Sequence, residues 1–172
     1  SKGALTAIRQ ISEMQVDVPM LAMTHCDASK LAKQHGEKSE YALCAAQWHK
    51  TLSYSDEFFG NGMQYDKEFN EMYGYAPPYQ AAESSAALLV YKAAFERANS
   101  FDKDKVRDAL AQTDMQTFYG NIKFSDTGQN IAKPMVLLQV RCEGGECANR
   151  VVAPTKWASH ELVHPIPSWS SR

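Results

Sequence analysis

No apolar run in the sequence approaches the ~18–20 residues that a membrane span needs, so a spanning helix is not expected. Charge of one sign is not in excess either: 18 Lys and Arg stand against 20 Asp and Glu, a formal net charge of −2. A nucleic-acid or anionic-membrane surface would show as a basic excess or stripe, so no nucleic-acid partner is expected. Ser1-Lys2-Gly3-Ala4 is not a basic leader followed by an apolar stretch, so no signal peptide is visible. The expectation is a mature or truncated chain, or a cytoplasmic one. Internal repeats and low-complexity segments are absent. What remains is an ordinary globular composition, 44% hydrophobic over 172 residues, enough to build a core as one domain or as a piece of something larger.

Cysteine is scarce, at four residues. Cys142 and Cys147 bracket Glu143-Gly144-Gly145-Glu146, a turn-forming sequence between two β-prone runs. That places the thiols across the neck of a hairpin, where a disulfide is geometrically reasonable in an oxidising compartment. A metal site would want a second Cys or His pair at matching spacing, and none follows, so neither metal nor cofactor is expected. Cys26 and Cys44 read as small buried residues near strand ends.

Along the chain, Leu5, Ile8, Ile11 and Met14 predict an amphipathic helix ending near Gln15. Pro19 to Thr24 reads as a buried strand. Asp27 or Ser29 caps a short helix through Leu31 to His35, which Gly36 ends, and Tyr41 to Gln47 is a second buried strand. Helix, strand, helix, strand is the rhythm of a parallel α/β sheet, and the first helix lacks the strand that should feed it. Phe58 to Gly62 reads as a loop, followed by a helix marked by Tyr65, Phe69, Met72 and Tyr73 and stopped by Gly74. Pro77-Pro78 forces an extended approach to a long helix from about Tyr79 to Ala98. That helix is apolar on most sides and is expected deep between neighbours. Asp102 caps another helix carrying Val106, Ala109 and Leu110. From Gly120 the texture turns to β: strands are expected at 121–124, 135–141 and 149–153, then an extended tail over Val163 to Trp169.

Several of these pieces occur in a familiar order. Tyr73-Gly74-Tyr75-Ala76-Pro77 leads to Ala81-Ala82 and the Ala-rich helix. The next helix precedes Thr117-Phe118-Tyr119-Gly120-Asn121-Ile122-Lys123-Phe124, then a turn ending in Gly128, an apolar strand ending in Gln139, and Val163-His164-Pro165-Ile166-Pro167-Ser168-Trp169. The series resembles the leucine/isoleucine/valine-binding protein family, the type I periplasmic solute-binding proteins of ABC transporters. The resemblance implies an α/β, two-lobed parallel-sheet fold of the periplasmic-binding-protein type I class, about twice this length, of which the chain is the C-terminal half. Residues 1–55 would belong to the second lobe, 56–115 would return to the first, and 116–172 would complete the second. It further implies a non-enzymatic, extracytoplasmic component of an ABC importer, periplasmic or membrane-associated in a Gram-positive cell. Its partners would be a small-molecule solute (amino acid, amide or aromatic acid), the permease subunits, and the missing N-terminal half. A ligand-sensing receptor domain on the same fold is the alternative.

In an open parallel sheet, ligands sit beyond the C-terminal ends of the strands, here Thr24-His25-Cys26-Asp27 and Gln47-Trp48-His49. The resemblance implies a carboxylate after the first strand for a ligand ammonium, and Asp27 stands there, though it equally serves as a helix cap. Thr24 and His25 share that loop. Trp48 offers a flat apolar wall or a core aromatic. Tyr79, where the family often points an aromatic into the cleft, and Gln80 complete the candidate ligand set, with Glu83 on the same approach.

Two other patterns compete. His160-Glu161-Leu162-Val163-His164 matches the zinc-protease H-E-x-x-H, which requires a helix; Pro165 pushes His164 out of the helical region. His25-Cys26-Asp27 suggests a cysteine amidase or hydrolase, but triad members normally come from separate loops.

Overall fold

The computed structural model describes residues 2–23, 28–133 and 135–171, which fall into two compact units. Unit 1 is Ser1–Ala46 with Met135–Arg172; unit 2 is Gln47–Pro134.

Unit 1 is built on a four-stranded sheet in the order β1-β2-β7-β8. β1 (Ala22–Met23) pairs in parallel with β2 (Leu43–Ala46), and the crossover between them carries helix α2 (Ala28–His35). β7 (Val136–Glu143) runs antiparallel to β2, and β8 (Glu146–Ala153) antiparallel to β7. The parallel-sheet expectation therefore holds only for the β1–β2 pair. A crossover connection permits parallel pairing, whereas the tight turn between β7 and β8 imposes the antiparallel one. Gly144 and Gly145 make that turn with φ of 60° and 84°, and the register sets Cys142 opposite Cys147. The two are joined in a disulfide with Cα atoms 4.0 Å apart, as the spacing predicts. Cys44 is fully buried as expected, but it too is disulfide-bonded rather than a packed thiol.

The sheet core consists of Leu43, Ala46, Val136, Leu138, Val140, Val151 and Val152. Helix α1 (Lys2–Glu13) turns Ala4 and Ile8 inward, and α2 buries Leu31 and Ala32. α2 ends at His35, as expected, with Gly36 in the left-handed region at φ 53°, and a 3-10 turn follows over Gly36–Ser39. The expected strand from Pro19 shrinks to Ala22–Met23 among the described residues. Gln139 is fully buried in β7, where a free amide would be costly. Its Nε2 donates to the carbonyls of Tyr41 (3.2 Å) and Val163 (3.1 Å), and its Oε1 accepts from Val163 N–H at 3.0 Å. The tail is thereby held against the middle of the sheet, and Trp169 N–H reaches Asp17 Oδ1 at 2.9 Å.

Among its described residues, unit 2 contains three α-helices and two small hairpins. The expected loop at Phe58 to Gly62 is instead a hairpin of β3 (Ser55–Asp56) and β4 (Gly60–Asn61), and Gly62 already opens helix α3 (Gly62–Tyr73). The reason is a capping box: Asn61 Oδ1 accepts from Met63 and Gln64 N–H while the Gln64 side chain accepts from Asn61 N–H. Gly74 ends α3 in the left-handed region, φ 75°. Helix α4 (Tyr79–Ala98) and helix α5 (Lys103–Ala111), capped by Asp102, pack through Ala94, Val106 and Ala109. The second hairpin joins β5 (Asp114–Thr117), which carries no clear strand pattern in the sequence, to β6 (Gly120–Lys123).

α4 departs from its expected burial. Only Ala82, Ala86, Val90 and Ala94 are buried, while Leu88, Tyr91 and Phe95 are exposed along another side of the helix. The two units divide at 46/47 and 134/135. Trp48 and Leu52 are buried within unit 2, and the β5–β6 hairpin is tied to β3 through Gln116 Nε2 and the Ser55 carbonyl (3.0 Å).

Candidate functional site

Thr24, His25 and Asp27, with Cys26 between them, lie outside the described residues. The remaining candidates, Trp48, Tyr79 and Gln80, fall in unit 2, and their surroundings differ sharply.

Trp48 is 5% exposed. Its indole N–H donates to the Phe118 carbonyl at 3.2 Å, and its ring meets Tyr65 and Phe118 edge-on at 5.9 and 6.1 Å. Tyr65 stacks on Phe118 at 4.2 Å and shares a 2.9 Å hydrogen bond with Ser85 through its hydroxyl; burial pushes its phenol up. Asp56 fixes the same cluster from below in the chain: Oδ1 accepts from Phe58 and Phe59 N–H, and Oδ2 from Phe118 N–H at 2.6 Å. Trp48 is thus packed into an aromatic cluster of unit 2 with its indole N–H satisfied.

Tyr79 is half-buried at the first turn of α4, and Gln80 beside it is exposed. Glu83 lies one turn on from Tyr79, so the two share a helix face. That face belongs to a polar cluster that the sequence reading did not contain. Lys133 Nζ stands 3.5 Å from the centroid of the Tyr119 ring and donates a hydrogen bond to the Gln47 carbonyl. Gly120, at φ 143°, lies directly under the lysine stem, where a Cβ would collide with its methylenes.

The electrostatics of the cluster follow from partial burial. Desolvation lowers the Lys133 ammonium to about 8, with the Glu83 carboxylate pulling the other way. Tyr119 is raised, chiefly by burial and then by the negative charge of Glu83 and the neighbouring Tyr79. The cluster therefore offers one cation over an aromatic face, one exposed carboxylate and a half-buried hydroxyl, suited to orienting a polar or zwitterionic solute. Neither Lys133 nor Tyr119 was legible as a candidate. The only hint was Gly120 following Tyr119, a position where backbone without a side chain permits close approach.

A separate surface groove of unit 2 is lined by residues that include Asp56, Phe58, Leu89, Lys92, Glu96 and Met115, and none of the described candidate residues lines it. The segment His160 to His164 is not helical, so the two imidazoles do not share a helix face as a zinc-protease motif requires. His160 Nε2 lies 3.6 Å from Glu143 instead. Cys44, Cys142 and Cys147 are all disulfide-bonded and offer no nucleophilic thiol. No described helix is long and apolar enough to cross a membrane.

Known structures carry the same fold. The chain is similar to the leucine binding protein LivK from Thermotoga maritima, with 24% identity and a TM-score of 0.69, over 88% of this chain and 42% of that one. A periplasmic binding protein from Burkholderia mallei gives a TM-score of 0.73 at 19% identity, over 94% and 45% of the two chains. The substrate binding protein LivJ of the branched-chain amino acid transporter from Streptococcus pneumoniae, in complex with isoleucine, gives 0.66 at 16% identity, over 88% and 42%. This chain thus spans less than half the length of the structures it matches. These likenesses establish a periplasmic-binding-protein type I fold, here as a partial domain. The sequence model of the periplasmic binding protein family matches residues 1–146, and the chain belongs to that family.

Proposed function

We propose that this chain is the C-terminal half of a two-lobed solute-binding protein that captures a small molecule outside the cytoplasm and delivers it to an ABC permease. The observation that carries this reading is the family match across residues 1–146, on both units of the chain. In this reading unit 1 belongs to the second lobe and unit 2 to the first, and the solute lies beyond the ends of β1 and β2. Thr24, His25, Asp27, Tyr79 and Gln80 are the residues this reading assigns to solute contact. Trp48 supports the site from the core. Branched-chain amino acids head the candidate solutes, since related binding proteins are named for leucine or crystallised with isoleucine; amides and aromatic acids follow.

The exposed apolar side of α4 agrees with this reading. Leu88, Tyr91 and Phe95 form a surface of the kind that a further part of the same protein covers. The test is a thermal-shift screen of the full-length protein against branched-chain amino acids, amides and aromatic acids. A specific solute at a hundred times its Kd stabilises by ~2.7 kcal/mol, a shift of several degrees. If no small solute raises the melting temperature, the transport reading fails.

A further inference from the structure

Unit 2 is entered at Gln47 and left at Pro134. In unit 1 the two passages are held by the sheet, because Ala46 at the end of β2 pairs with Val136 at the start of β7. In unit 2 no strand pairing continues among the described residues, yet one side chain links the passages: Lys133 Nζ donates to the carbonyl of Gln47, 86 residues away in the chain. The lysine is positioned for this. Its ammonium rests on the Tyr119 ring at 3.5 Å, and its methylenes run over Gly120, where any side chain would displace them. A half-buried ammonium over an aromatic face, bonded to a carbonyl, is restrained far more than a surface lysine.

We propose that Lys133 is a clasp that fastens the entry and exit passages of unit 2 to each other, through its bond to the Gln47 carbonyl and its seat on Tyr119 and Gly120. This goes beyond the solute-binding reading and does not depend on any ligand. Two covalent passages between units define where the chain bends when units move, and such hinges are a few residues that absorb the backbone change. The clasp keeps Gln47 and Lys133 together within unit 2, as the Ala46–Val136 ladder pair keeps the two passages together in unit 1.

Hydrogen exchange on the full chain tests this. Lys133→Met keeps the length of the stem over Gly120 but removes the donor and the charge; Lys133→Arg keeps both. In Lys133→Met, peptides covering 45–49 and 132–136 should exchange about tenfold faster at pH 7, with 146–153 unchanged. Lys133→Arg should stay within twofold of the parent. Unchanged exchange in the two passages, or a uniform acceleration throughout unit 2, would overturn the clasp. A second measurement uses the parent protein alone, should the methionine variant not fold. Acetylation of Lys133 should be at least tenfold slower than that of the exposed Lys103, and equal rates would overturn the proposal as well.

Discussion

The two units of the chain are held together by different physics. Unit 1 is a hydrogen-bonded sheet with a covalent staple at its hairpin tip and a tail pinned by the buried amide of Gln139. Among its described residues unit 2 has only two-stranded hairpins, and its cohesion comes from side chains: Trp48 and Phe59 each against Tyr65 and Phe118, which stack on each other, Asp56 bonding three backbone N–H groups, and the α4–α5 alanine contact. A ladder spreads its stability over many equivalent bonds. An aromatic cluster concentrates it in a few rings, so unit 2 should be the more fragile to a single substitution.

The largest expected effect follows from that. Phe118 is fully buried at the centre of the cluster, and Phe118→Ala should cost about 3–5 kcal/mol. Urea unfolding followed by hydrogen exchange should show unit 2 losing protection while β7 and β8 keep theirs; equal loss in both would break the contrast. Next, Cys142→Ser with Cys147→Ser removes a staple that closes a short loop, a loss of about 2 kcal/mol. Here the damage should be confined to the β7–β8 end of unit 1, read from faster exchange at residues 141–148.

Proton linkage sharpens the comparison further. The ammonium of Lys133 in folded unit 2 has a pKa near 8, below its ordinary value, so folding disfavours the charged form. The resulting penalty is present in full below pH 8 and is relieved as pH rises toward the unfolded value near 10.5, so stability should rise across that interval. Tyr65 and Tyr119, whose phenols are raised, act oppositely, and stability should fall again above about pH 10. Denaturant midpoints at pH 7.5 and 9.5 should therefore increase in the parent, and the increase should vanish in Lys133→Met. The smallest effect is on the outer side of α4. Phe95→Glu should change the stability of this chain by no more than about 0.5 kcal/mol, yet should destabilise the full-length protein by 2 kcal/mol or more if that side is covered there. Equal small effects in both would count against a covering half.

Much of the local structure was legible from residues. Asp102 and Gly74 mark helix ends for reasons of capping and left-handed backbone, and Cys142 with Cys147 flank a Gly-Gly turn that can only be a tight hairpin. The elements that escaped were short and lacked periodicity. β5, Asp-Met-Gln-Thr, has no alternation to read, and β3–β4 has two residues per strand; both exist because Gln116 and Asp56 tie them to neighbours distant in sequence. The candidate site was legible only in part. Tyr79 is announced by Pro77-Pro78 and the helix that follows, whereas nothing near Lys133 distinguishes it from other lysines.

By itself, the sequence determined where helices begin and end, which hairpin carries the disulfide, and the family to which the chain belongs. Capping, turn chemistry and motif order are local or serial properties, carried by residues within a few positions of each other or by their succession. Only the tertiary structure decided that Trp48 is buried in an aromatic cluster, that one side of α4 is exposed in this chain, and that Lys133 sits on Tyr119 with its proton facing Gln47. Those outcomes depend on which distant surfaces meet, and burial, not residue type, then sets what each polar group can do.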